Sequence, residues 1–180
     1  DDRIFSISGN NFLFGQGKSR ESYYFSKYPH IWGWATWKRS WDKYDSEISD
    51  WQARRQTNWL REVTGSFIIS KFWKYIFDRL SAGKINTWDY QLTYASFKSR
   101  GLTIIPSVNL VTNVGYGQDS TNIKSKNKTI AVAVEQIQSP LVHPVEFMVN
   151  GANDRQIENL VYLHTLGKIS LVIKSILGLI

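Results

Sequence analysis

Residues 28–41, YPHIWGWATWKRSW, set Trp32, Trp34, Trp37 and Trp41 among His30, Lys38 and Arg39. Indole faces stack on the apolar face of a sugar ring or on a nucleobase, and indole N–H groups donate to hydroxyls. The stretch is therefore a candidate grip for a flat ligand that is polyhydroxylated or anionic. Gly33, between two of the tryptophans, lets backbone lie close to such a ligand. Lys38 and Arg39 are placed to balance anionic charge. His30 is a candidate acid, base or hydrogen-bond donor, although a lone histidine is more often structural. Trp34, Trp37 and Trp41 also recur at i, i+3 and i+7, one stripe of a helix, so core packing accounts for the same residues.

The second candidate is NTWDYQ, residues 86–91. An acidic residue in the first turn of a helix often does no more than complement the helix dipole. The alternative is a general base, which needs a fixed and partly desolvated carboxylate. Trp88 and Tyr90 flank Asp89 and would supply that setting. Spacing does not choose between the two.

These residues need elements to hold them. RIFSISG (3–9) alternates like a strand and stops at Gly9-Asn10-Asn11. SYYFSKYPH is a short aromatic extended segment ended by Pro29, and GWATWKRSW is expected to be helical. Residues 51–63 form a polar helix, and 70–83 carry Phe72, Trp73, Ile76, Phe77 and Leu80 at helical spacing, with Gly83 as the stop. Residues 87–101 repeat the device, with Thr87 as N-cap and Gly101 as C-cap. LTIIP and VNLVTNVG read as strands separated by Pro106, and IAVAVEQI as a strand or short helix. SPLVHPVEFMVN is extended, and residues from Ala152 onward form one helix, or two broken at Gly167. Strand, loop, helices, strand, strand is an α/β order.

Composition narrows the classes. The chain of 180 residues is long enough for one real core, and its 42% apolar and 21% charged content is that of a globular protein. With no cysteine there is no disulfide framework, thiolate zinc site or cysteine nucleophile. No apolar run approaches the roughly 20 residues needed to cross a bilayer. The net charge of +7 favours anionic partners. All eight tryptophans lie between Trp32 and Trp88, and the polar, lysine-bearing segment 117–129 marks a change of character. The first residue is Asp1 and the single methionine is Met148, so the chain is expected to be a piece of a longer protein.

The ordered series ISGNNF, YYFSKYPHIWGWATWKRSWDKYD and NTWDYQLTYASFKSRGLTIIPSVNLVTNVGYG resembles the C-terminal half of bacterial family-2-like glycosyltransferases, some of them called haemolysin-like HlpA proteins. These resemble nucleotide-diphosphosugar transferases of the GT-A fold. The resemblance divides the chain into residues 1–122, the acceptor-side half of a GT-A domain whose nucleotide-binding half is missing, and 123–180, a C-terminal extension with an apolar helix. It implies that a sugar passes from a nucleotide-diphosphosugar donor to a hydroxyl of a glycan or lipid-linked acceptor, with inversion. Asp89 would be the general base, and His30, Trp32, Gly33, Trp34, Lys38, Arg39, Trp88 and Tyr90 would bind substrate. It also implies Mn²⁺ or Mg²⁺ held by a D-x-D motif upstream; Asp1-Asp2 are not that motif. Asn122 stands where the family pattern has a histidine.

A carbohydrate-binding domain without catalysis would use the same aromatics and would not need Asp89. A single-strand nucleic-acid binder pairs aromatics with basic residues, but Lys124, Lys126 and Lys128 lie far in sequence from the tryptophans, and nucleic acid is not an expected partner. A cytoplasmic protein is expected, with peripheral contact at the inner membrane as an extension of that reading. Residues 165–180 are apolar at three- and four-residue steps. They are expected either to pack on the parent domain or a second copy, or to lie on an anionic membrane surface.

Overall fold

The computed structural model describes residues 1–16, 19–112 and 133–163. Four strands form one mixed sheet: β1 (Ile4–Ile7), β2 (Tyr23–Ser26), β3 (Ala35–Thr36) and β4 (Leu102–Pro106), in the order β2-β4-β1-β3. β1 and β4 run parallel at the centre, and β3 and β2 add antiparallel edges. Ser6 and Thr103 share a buried hydroxyl–hydroxyl hydrogen bond of 2.9 Å between the central strands. Gly101 lets β4 enter beside β1, because a Cβ there would lie 2.5 Å from that of Phe5.

The long helices behave as their periodicity requires. In α4 (Phe67–Ser81), Ser66 caps the start by accepting from the Ile69 amide, and Ile69, Phe72, Trp73, Ile76, Phe77 and Leu80 face inward. α5 (Asp89–Lys98) lies deeper, with every residue from Gln91 to Phe97 buried. Trp73 and Phe77 stack at 5.5 Å, Tyr94 and Phe97 meet these rings edge to face at 5.0–6.4 Å, and Trp51, Trp59 and Tyr28 complete that core.

Four local expectations are corrected. Residues 33–41 are not one helix: Gly33 has φ +56°, Ala35 and Thr36 pair with Ile7 and Ser6, and only α1 (Lys38–Trp41) is helical. Pairing with β1 overrides the i, i+3, i+7 pattern, so Trp37 is exposed rather than core. Residues 51–63 divide into α2 (Trp51–Arg54) and α3 (Trp59–Thr64). The break is at Thr57, whose hydroxyl donates to the Arg54 carbonyl and accepts from the Trp59 amide, an alternative to continued helix. The N-cap position of α5 is Trp88 rather than Thr87. The described parts of VNLVTNVG (108–112) and IAVAVEQI (133–137) form no strand or helix.

The C-terminal segment returns to the same core. α6 (Gly151–Ile157) continues as a π-helical stretch, Glu158–Leu163. Ser26 donates to Asp154 at 2.6 Å, Tyr28 donates to Glu158 at 2.6 Å, and Lys27 forms an ion pair with Glu158 at 2.9 Å. Ile157 packs on Leu13, Tyr24 and Ile105, and Tyr162 lies against Phe72 and Trp73. Asn122, Lys124, Lys126, Lys128 and the apolar stretch 165–180 lie outside the described residues. Among the described residues no helix is long and apolar enough to cross a membrane.

Candidate functional site

The residues singled out in the sequence separate into three groups. The first is a ladder of rings. Trp34, carried just before β3, stacks on Trp88 just before α5 at 5.5 Å and 29°. Trp34 also meets Trp41 at 6.2 Å, and Trp41 stacks on Tyr44 at 4.8 Å and 5°. Trp41 and Trp88 remain exposed, while Trp34 and Tyr44 are half-buried. Trp34 and Tyr44 rest on the core residues Phe5, Leu92 and Ala95, and Trp41 and Trp88 extend that aromatic cluster to the surface.

Asp89 stands at the edge of this ladder. Thr87 donates its hydroxyl to Asp89 Oδ1. No hydrogen bond to Oδ2 is found among the described residues, so one carboxylate oxygen is anchored and the other is left open. Burial raises the Tyr44 phenol above its ordinary range and the Asp89 charge adds to that rise. Tyr90 is raised for the same two reasons, in the same order. Its ring nevertheless turns inward, edge-on to Trp73 at 6.0 Å. Of the two neighbours in sequence, only Trp88 joins the exposed ladder.

The second group lies where the parallel strands β1 and β4 end. Asn11 donates to the Pro106 carbonyl at 2.7 Å and its amide N–H donates to Asn109 at 3.0 Å, tying the two strand ends together. Gly9 donates to the Trp32 carbonyl at 3.2 Å, and a Cβ on Gly33 would lie 2.5 Å from Val111. Phe12 packs on both His30 (4.9 Å) and Trp32 (5.2 Å). His30 is buried and its imidazole is pushed down to about 4 by burial, with the Asn10 backbone offsetting a little of the shift. It is therefore neutral at pH 7. Both its ring nitrogens and Asn10 Nδ2 are buried without a hydrogen-bond partner. Ligands of α/β sheets bind outside the carboxyl ends of such strands.

The third group is basic. Lys38 is exposed and paired with Asp42 at 2.7 Å. Arg39 lies over the Trp37 ring at 4.5 Å, donates to the Asp1 and Ile4 carbonyls at 3.0 and 3.1 Å, and pairs with Asp2 at 3.2 Å. Both cations are thus engaged by the chain's own groups.

Sequence reasoning passed over Tyr44 and Phe12 as site residues. A signal existed for Tyr44, which stands three positions beyond Trp41, but none for Phe12, which meets His30 and Trp32 only through the fold. Among the described residues no group of three or more histidine or acidic side chains could hold a metal ion. The Mn²⁺ or Mg²⁺ that the resemblance implies belongs to an upstream D-x-D motif and not to these residues. No family model, no curated protein and no solved structure matches the chain.

Proposed function

We propose that the chain is the acceptor-side half of a family-2-like, GT-A-type glycosyltransferase, acting on a nucleotide-diphosphosugar and a glycan or lipid-linked acceptor. The observation that carries this reading is the stack of half-buried Trp34 on exposed Trp88 beside Asp89. Sugar rings present C–H faces that stack on indole, and the hydroxyls around them need a base for transfer. In this reading the ladder orients the acceptor and excludes water on one side. The open oxygen of Asp89 takes the proton of the attacking hydroxyl, which bonds to the anomeric carbon as the bond from that carbon to the diphosphate oxygen breaks. Attack opposite the leaving group inverts the configuration. The motif series ISGNNF, YPHIWGWATW and NTWDYQ supports the family reading.

The test separates transfer from binding. In the full-length protein, Asp89→Asn is expected to reduce sugar transfer by at least about a hundredfold, the low end of what general-base catalysis contributes. Glycan binding, read by tryptophan fluorescence, should be unchanged. A variant that keeps more than a tenth of the wild-type rate removes Asp89 from the role. Saturable glycan binding with no transfer from any nucleotide-sugar in the wild-type protein would leave a carbohydrate-binding module.

A further inference from the structure

Between the α2–α3 connection and α4 lies a cavity of about 270 Å³ whose lining includes Arg54, Arg55, Arg61, Lys71 and Lys74 and no acidic residue. It shares no residue with the aromatic ladder. Two of its cations are already neutralised, Arg54 by Asp50 at 2.7 Å and Arg55 by Asp78 at 2.5 Å. Arg61, Lys71 and Lys74 form no ion pair among the described residues. Lys74 Nζ crosses from α4 to donate to the Arg55 carbonyl at 3.2 Å, which brings its charge towards a guanidinium. Burial, and then Arg55, lower the Lys74 ammonium below its ordinary value, with Asp78 opposing. Lys71 and Arg61 converge on the exposed ring of Phe67, at 5.3 and 5.9 Å from its centroid.

A solvated protein surface usually intersperses charges of both signs. Here three cations without an ion pair line one depression, Lys71 and Lys74 repel each other, and an anion between the three would relieve that repulsion. We propose that this cavity binds a phosphate group, carried either by a small soluble ligand or by a lipid headgroup. Guanidinium forks match phosphate oxygens in pairs, and ammonium groups add point charges. Its volume falls just below the about 300–1,000 Å³ of clefts that hold drug-sized ligands, which suits a compact anion.

The full chain is titrated with inorganic pyrophosphate at low ionic strength by calorimetry. It is also co-sedimented with phosphatidylcholine vesicles, with and without phosphatidylglycerol. The expected result is saturable binding, weakened about tenfold or more in R61Q/K71Q, as for the loss of charge-assisted contacts. R20Q/K84Q removes the same charges from exposed positions elsewhere and should bind as the wild type does; melting midpoints of both double variants check that they fold. Pyrophosphate binding with this residue dependence supports a soluble phosphate ligand. Sedimentation that needs phosphatidylglycerol and fails in R61Q/K71Q, without pyrophosphate binding, supports a lipid headgroup. Equal weakening in both double variants, or saturable binding to neither probe, overturns the proposal. Glycan binding at the ladder is read separately and is independent of either outcome.

Discussion

Two aromatic regions built from the same residue types behave oppositely. Around α4 and α5, Trp51 and Trp73 are 0% and 1% exposed, packed edge to face with phenylalanine and tyrosine rings. Beside β3 and the start of α5, Trp41 and Trp88 are 44% and 42% exposed. The buried rings sit on long helices whose neighbours also point inward. The exposed ones sit on one short helix and on turns, where no further layer covers them. Indole in the first region supplies stability, and indole in the second supplies a surface.

That contrast is open to direct attack. The largest effect is expected in the buried region: Trp73→Ala should cost about 3–5 kcal/mol of unfolding free energy, as core aromatics do. Trp88→Ala or Trp41→Ala should change it by less than about 1 kcal/mol. Denaturant melts of the three variants check this, and equal losses would make the ladder ordinary core.

A shift of pH should act through groups that the fold buries or pairs, not through the exposed ladder. Burial raises the Asp154 carboxyl to about 6 from an ordinary 3.8, against the lowering effects of the Ser26 hydroxyl, the Lys27 amide and the Lys27 charge, and Glu158 adds to the rise. A carboxyl with a raised folded-state pKa binds its proton more tightly when folded. Its contribution is therefore fully present below about pH 4 and is lost as pH rises through about 6, amounting to about 3 kcal/mol for a shift of this size. Asp50 and Asp45 act in the reverse sense. Burial would raise Asp50, but hydrogen bonds from Arg54, Lys98 and Tyr94 outweigh it and hold the group well below its ordinary value. Hydrogen bonds from Ser49 lower Asp45. Their contributions are lost only as pH falls below the ordinary carboxylate value. Between pH 4.5 and 7.5 the Asp154 contribution falls with rising pH while that of buried, neutral His30 grows, so Asp154→Asn should tilt the dependence of melting temperature towards greater stability at the higher pH. A dependence unchanged in the variant would remove that contribution from Asp154.

The exposed region should respond through binding. Trp34→Ala and Trp88→Ala are each expected to weaken glycan affinity about tenfold, roughly the value of one well-packed aromatic contact. Titration by fluorescence or calorimetry reads this, and unchanged affinity would remove the ladder from the site. The smallest effect belongs to Lys38. Its ion pair with Asp42 is exposed, so Lys38→Gln should alter stability by less than about 1 kcal/mol in a thermal melt.

Much of the scaffold was readable before folding. β1 and β4 follow from apolar runs bounded by Gly9 and Gly101, and α4 follows from Phe72, Trp73, Ile76, Phe77 and Leu80 at helical steps. What misled was Trp34, Trp37 and Trp41: their spacing is helical, but β3 pairs with β1 and takes Trp34 out of any helix. Thr57 likewise ended a helix that periodicity alone would have continued. Asp89 was readable as an acidic residue in a first turn. Its anchored and open oxygens depend on the rotamers of Thr87 and Asp89, which no spacing encodes.

The sequence by itself determined the residue supply: eight indoles in one half of the chain, an acidic first turn at Asp89, and helix stops and starts set by local chemistry. These are properties of neighbours within a few positions, where backbone sterics and side-chain hydrogen bonds act. Only the tertiary structure decided which indoles became core and which became surface. It also joined Trp34 to Trp88 across more than fifty positions and gathered Arg61, Lys71 and Lys74 round one cavity. Burial is a property of what packs on a residue from elsewhere in the chain, and a tryptophan's own identity is the same on either side of that boundary.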